Sequence, residues 1–119
     1  MKTDEHNLQV ACIRWFRYQH QDMAMLLYAI PNGGWRNAVV AAKLKAEGVV
    51  AGVADLCLDV ARCGYHGLKI EMKTRSGRQS DSQKAYQKAV TEQGYLYVVC
   101  RSVDDFILAV ERYLKGEAS

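Results

Sequence analysis

Two stretches decide how this chain folds: Ala54-Asp-Leu-Cys-Leu-Asp-Val60 and Leu68-Lys-Ile-Glu-Met-Lys73. Each is a short run in which apolar and polar residues alternate, and Gly64, Tyr65, His66 and Gly67 lie between them, which reads as two strands joined by a turn. If the runs pair antiparallel about a centre near Cys63, Asp55 falls opposite Glu71, sixteen positions later. Cβ atoms so placed lie about 5 Å apart. Two carboxylates at that distance repel, and a hard divalent cation that takes oxygen ligands is the economical way to hold them. Strand side chains alternate faces, so Glu71 and Lys73 share one face while Ile70 and Met72 turn to the core.

Working outward, Leu8, Ala11, Cys12, Trp15 and Phe16 recur at helical spacing, with Thr3 and Asp4 as candidate caps, and predict a helix over 3–20. Met23 to Ile30 is an apolar run stopped by Pro31-Asn-Gly-Gly and is expected to be a strand. A helix is expected over Arg36–Glu47, ended by Gly48. After Lys73, Ser80-Asp-Ser-Gln83 has the form of a capping box and starts a helix to about Gln93. Tyr95–Cys100 reads as a buried strand, and Ser102 caps a last helix over Val103–Leu114. The expected order is αβαββαβα, a mixed central sheet flanked by helices, in a single domain over residues 1–119.

At 119 residues, half of them apolar, the chain can bury a core without staples. It has no apolar run long enough to span a membrane and no signal-like opening, so a cytoplasmic location is expected. Cys12, Cys57, Cys63 and Cys100 lack metal-binding spacing and read as reduced, mostly buried thiols. The net charge of +3 is modest, but Lys69, Lys73, Arg75, Arg78, Lys84 and Lys88 stand against Glu71 and Asp81 alone, a local balance of +4 around the carboxylates. Such a field suits a phosphate-bearing partner. Without the carboxylates, a solvated helix surface would explain it equally.

Phosphodiester hydrolysis needs a more acidic water, neutralised phosphoryl charge and a group to orient the nucleophile. Asp55 and Glu71 can hold the cation and Lys73 can orient or help deprotonate the water. Asn32, Gly33 and Gly34 fit a tight turn, and the same loop can let a DNA backbone approach closely. Trp35 is expected in the core, and Arg36 beside it is a candidate nucleic-acid contact. His6, His20 and His66 show no catalytic pattern and are expected on the surface.

These residues also carry a resemblance. Asp55, Ile70-Glu-Met-Lys73 and Gly77-Arg-Gln-Ser-Asp-Ser-Gln83 resemble the VRR-NUC branch of the PD-(D/E)xK nucleases. So do Glu5-His-Asn-Leu-Gln9, Trp15-Phe-Arg, Ile30-Pro-Asn-Gly-Gly34 and Lys43-Leu-Lys-Ala-Glu-Gly48. The resemblance implies an αβββαβ nuclease core, a magnesium or manganese site, and cleavage of DNA that is often branched. Small stand-alone members are similar to phage and bacterial proteins that act as homodimers and cut four-way (Holliday) junctions, which would place this chain in a bacterial host cell, encoded by a phage or prophage.

By position the resemblance makes Asp55 and Glu71 metal ligands, the Met72 carbonyl a third, Lys73 the catalytic lysine and Gln83 the motif glutamine. Gln83 can equally close the capping box. Glu5 would approach the metal through water, with Gln9 one turn later; it can equally be an acid favoured by the helix N-terminus. Ala54 stands where the superfamily's first motif has proline, a change of rigidity and not of chemistry. Arg75, Arg78, Lys84, Arg36, Asn32 and Gly33 are the expected DNA contacts. A sequence-specific or nicking nuclease on the same core is the alternative within enzymes; outside them stand a DNA-binding module without cleavage and an RNA-processing or structural protein.

Overall fold

A computed structural model describes residues 3–31 and 37–118. Its elements are α1 (Thr3–Gln19), a 3₁₀ turn (Gln21–Leu26), β1 (Leu27–Ala29), α2 (Ala38–Ala46), β2 (Leu56–Leu58), β3 (Leu68–Met72), α3 (Asp81–Glu92), β4 (Leu96–Cys100) and α4 (Val103–Leu114). The expected order holds, with one change. The run over 23–30 is a strand only at its end; its first part winds into the 3₁₀ turn. A short apolar run does not reveal its own period. Positions three apart eclipse in a 3₁₀ turn, so Met23 and Leu26 both pack against the core while Met25 is exposed. The turn expected at Asn32–Gly34, and the contacts expected of Trp35 and Arg36, lie outside the described residues.

The four strands form one mixed sheet in the order β1-β2-β3-β4. β1, β2 and β3 run antiparallel in turn, and β3 and β4 are parallel, joined by the α3 crossover. Alternate residues Leu56, Leu58, Leu68, Ile70, Met72 and Cys100 face one way and are buried with Cys12 and Phe16 of α1 and Phe106, Val110 and Tyr113 of α4. The α4 residues repeat at i, i+4 and i+7, the stripe that an amphipathic helix turns to a core. Ser102 caps α4 by accepting from the Asp105 N–H (3.0 Å). Tyr113 Oη donates to the Val60 carbonyl (2.6 Å), which satisfies a buried phenol. His20 is not a plain surface residue: its ring lies against Phe16 and its Nε2 is 2.6 Å from Glu111 Oε1, tying the end of α1 to α4.

Cys57, Lys69 and Tyr97 lie side by side in register on the opposite face, where Tyr86 of α3 packs edge-on against Tyr97 at 6.2 Å between ring centres. Glu71 belongs to this face by strand alternation.

The hairpin that joins β2 to β3 turns at Cys63 and Gly64, both with positive φ (56° and 80°), between the paired residues Arg62 and Tyr65. Positive φ at both central positions is the mark of the primed turns that suit hairpin twist. An unbroken ladder from that turn would pair Asp55 with Met72. It does not continue unbroken, because residues 59–61 oppose only 66 and 67, and the extra residue restores the register Leu56↔Ile70. One bulged residue therefore brings Asp55 opposite Glu71, since a slip of one position exchanges the faces of a strand.

The segment leading to Asp55 is fixed by Gly52, which has φ +86°; a Cβ there would lie 2.6 Å from the Ser82 backbone at the start of α3. Gly52→Ala combines left-handed strain with overpacking and is expected to destabilise the protein by about 2–4 kcal/mol. Urea unfolding measures this, and a midpoint unchanged from wild type would show that the loop does not rest on α3.

Candidate active site

Asp55 sits just before β2, its carbonyl accepting from the Ile30 N–H (2.9 Å). Its Oδ2 accepts from the Met72 backbone N–H at 2.7 Å, so the side chain is tied to β3 one residue from Glu71. Burial pushes the Asp55 carboxyl up, and the charges of Glu71 and Glu5 push it further; the Met72 N–H and Lys73 oppose them. Glu5 on α1 is thus close enough for its charge to act on Asp55.

Glu71 is not on a solvent face. It is 1% exposed, the one buried charged residue among those described. Its two oxygens have different surroundings. Oε1 accepts from Tyr97 Oη and from Gln79 Nε2 (3.1 Å), and Gln79 also donates to Gln87 Oε1 (2.8 Å). Oε2 is buried without a hydrogen bond. The nearest cation is Lys73 Nζ, 3.7 Å away and itself 13% exposed. Burial, together with the Glu71 carboxylate, pushes the Tyr97 phenol well up, which keeps its proton in place to donate.

This arrangement fits a hard cation. A buried carboxylate oxygen without a partner is costly, and Glu71 Oε2 is such an atom beside a second carboxylate. Among the described residues no three acidic, histidine or cysteine side chains make a ready cage. Two carboxylates, a carbonyl and water are the usual sparse set of magnesium. The Met72 carbonyl is suitably turned. The Lys73 N–H bonds to Cys100 of β4 (3.0 Å), and neighbouring residues alternate sides, so Met72 directs its polar groups toward β2 and Asp55.

Lys73 opens a loop held by Arg101, whose Nη1 donates to the carbonyls of Thr74 (2.9 Å), Arg75 (3.4 Å) and Gly77 (2.6 Å). A Cβ at Gly77 would come into van der Waals contact with the Lys73 side chain at 3.4 Å. Arg75, Arg78, Lys84 and Lys88 are exposed, and none makes an ion pair with another described residue. Lys69 leaves the basic group: its Nζ donates to Cys57 Sγ (3.5 Å) and lies 4.7 Å from the Tyr95 ring centre. Gln83 closes the capping box, its Oε1 accepting from the Ser80 N–H (2.8 Å). The glutamine that reaches Glu71 is Gln79. Sequence reasoning passed over Tyr97 and Arg101, because only the parallel register of β3 and β4 brings them to the site, and over Gln79, because its reach to Glu71 depends on how the entrance to α3 lies against β3. Asn32, Gly33 and Arg36 lie outside the described residues.

A mixed α/β core that presents two acids and a lysine from one β-ribbon is a nuclease-type fold, and comparison with known proteins agrees. The VRR-NUC domain model matches residues 1–104, and the chain belongs to the VRR-NUC family. A solved structure of a VRR_NUC domain protein superposes with a TM-score of 0.84 at 29% identity, over 98% of this chain and 92% of that one. No curated protein matches the chain.

The raised carboxyl of Asp55 has a measurable consequence in metal-free protein. A carboxyl raised by folding favours the protonated form, so the stability it contributes is present at low pH and is lost as pH rises through its folded value. Asp55→Asn keeps an acceptor for the Met72 N–H without the charge. With chelator present, the variant should melt close to wild type near about pH 4 and increasingly above it toward pH 8. A difference that does not change with pH would contradict this electrostatic picture.

Proposed function

We propose that this protein is a divalent-metal-dependent deoxyribonuclease that hydrolyses phosphodiester bonds, with four-way or otherwise branched DNA as its preferred substrate. The observation that carries the proposal is Glu71 Oε2, a buried carboxylate oxygen without a hydrogen bond, on a strand position opposite Asp55. Asp55, Glu71 and the Met72 carbonyl would hold Mg²⁺ or Mn²⁺, with Glu5 reached through water. The cation, when bound, supplies Lewis acidity toward a phosphoryl oxygen and toward water.

The chain's own residues do the rest. Lys73 Nζ, too far from Glu71 for a hydrogen bond at 3.7 Å, can direct its protons to the attacking water or the phosphate. Arg101 holds the backbone of the loop that follows, which limits where Lys73 can move. Arg75, Arg78 and Lys84 offer exposed charge to the flanking phosphates, and Arg36, Asn32 and Gly33 are proposed as further DNA contacts. Gln83 Nε2, left over by the capping bond, is the part of that residue available for a catalytic role.

A homodimer would let two such sites make the paired incisions that a symmetric junction needs. Its support is α2, which has no buried residue although most of its sequence is apolar. Nine isolated residues do not hold a helix in water. Val39 (79% exposed) and Val40 on α2 and Val49 and Val50 (59% exposed) just after it are exposed apolar residues, with Lys43, Lys45 and Glu47 of both signs between them in sequence. A second copy would cover these residues, with lysine and glutamate side chains of both signs available to pair across the contact. The four unpaired cysteines suit a reducing cytoplasm, and no helix among the described residues is long and apolar enough to cross a membrane. A nicking or sequence-specific nuclease would use the same centre on another substrate. A binding-only module has no use for a buried carboxylate beside a second acid.

Purified protein incubated with labelled four-way junction, flap and linear duplex, with Mg²⁺, Mn²⁺ or chelator, tests the proposal. Cutting of the branched substrates should require metal and fall about 100-fold or more in Lys73→Ala and in Glu71→Ala, and sedimentation should show a dimer on the junction. Cutting that survives chelator or either substitution would place the chemistry elsewhere.

A further inference from the structure

The carboxylate of Glu71 is held in an asymmetric way that its burial alone does not require. One oxygen receives two donors from different elements: Tyr97 Oη from the middle of β4 and Gln79 Nε2 from the segment that enters α3. Gln79 is itself fixed, because its amide nitrogen also donates to Gln87 Oε1 on α3 at 2.8 Å, so both of its protons have acceptors. The other oxygen of Glu71 receives none and lies on the side of Lys73.

We propose that Tyr97 and Gln79 are positioning residues that reserve Glu71 Oε1 and leave Oε2 as the one oxygen offered to a cation, so that the site selects a small octahedral ion over calcium. The inference rests on the metal-dependent reading above and adds to it which residues enforce the choice of ion.

The physical reason is coordination number. Calcium gathers about six to eight oxygens and often takes both oxygens of a carboxylate, whereas magnesium and ions of its kind need six ligands in near-octahedral geometry and are content with one oxygen from each carboxylate plus water. For Glu71 to bind through both oxygens, Oε1, whose two acceptor sites are filled by Tyr97 and Gln79, would have to release at least one of these donors. One of them is the phenol of Tyr97, which is 9% exposed and donates to no other acceptor among the described residues. Leaving a buried phenol unpaired is unfavourable, so the two-oxygen mode is penalised while the one-oxygen mode is not. Hydrogen bonds to a ligand's far side also fix its orientation, and loss of such partners typically weakens metal binding about 10–100-fold.

A purely structural role, in which Tyr97 and Gln79 only solvate a buried acid, makes a different forecast, and ion selectivity separates the two. Calorimetric titration of the full chain with Mn²⁺ and with Ca²⁺, without DNA, is carried out on wild type, Tyr97→Phe and Gln79→Met. Tyr97→Phe keeps the ring, and Gln79→Met replaces a half-buried loop side chain outside the core with one of similar length and no donor. Circular dichroism and melting establish that each variant is folded.

Wild type should bind Mn²⁺ more tightly than Ca²⁺, and each variant should lose about 10-fold or more in Mn²⁺ affinity with a smaller loss, or a gain, for Ca²⁺. Folded variants with an unchanged Mn²⁺/Ca²⁺ ratio would overturn the inference and leave the nuclease reading standing. A wild type that binds no Mn²⁺ would overturn both.

Discussion

A carboxylate almost wholly removed from water, with one oxygen hydrogen-bonded twice and the other without a hydrogen bond, is the constraint on which this structure turns. Burying a charge is tolerated only where the surroundings answer it. Here the answer comes from two directions: donors from β4 and from the entrance to α3, and the ammonium group of Lys73 just beyond β3; the second acid, Asp55, adds repulsion and is itself tied down by the Met72 N–H. Every element around Glu71 is placed so that these groups meet. The bulged hairpin sets the register, Gly52 lets the Asp55 segment lie against α3, and Arg101 fastens the loop beyond Lys73.

The two faces of the sheet divide the labour. On one, alternate aliphatic residues pack against α1 and α4 and supply the burial that drives folding. On the other, the same strands carry Cys57, Lys69, Glu71 and Tyr97 beneath α3, a face more polar than an ordinary core. A parallel strand beside β3 serves this arrangement, because it brings Tyr97 to Glu71 with a residue far away in sequence. Site residues supported by packed strands are held more rigidly than residues on loops, which suits the proposed metal centre.

Much of this was legible in the amino-acid order. Alternation in 54–60 and 68–73 placed Asp55 opposite Glu71, and the pairing Leu56↔Ile70 agrees. The Ser80 box, the Ser102 cap and the apolar stripe of α4 were equally plain, since they are local patterns. What was hidden depends on distant contacts or small irregularities. The extra residue over 59–61 has no marker of its own, the 3₁₀ turn at 21–26 shares its apolar composition with a strand, and the register of β4 on β3 is set only when α3 docks. Hence Gln83 drew attention as a motif glutamine while Gln79, four positions earlier, is the one that touches Glu71. The burial of Glu71 was also out of reach, because a Glu-x-Lys triplet reads as a solvent face until the covering helix is known.

The most direct test of the account is anomalous diffraction from crystals of the protein soaked in Mn²⁺. A single site is predicted between Asp55 and Glu71, in contact with Glu71 Oε2 and not with Oε1, with Tyr97 still bonded to Oε1. Manganese absent from that position, or bound through both Glu71 oxygens with Tyr97 displaced, would contradict it.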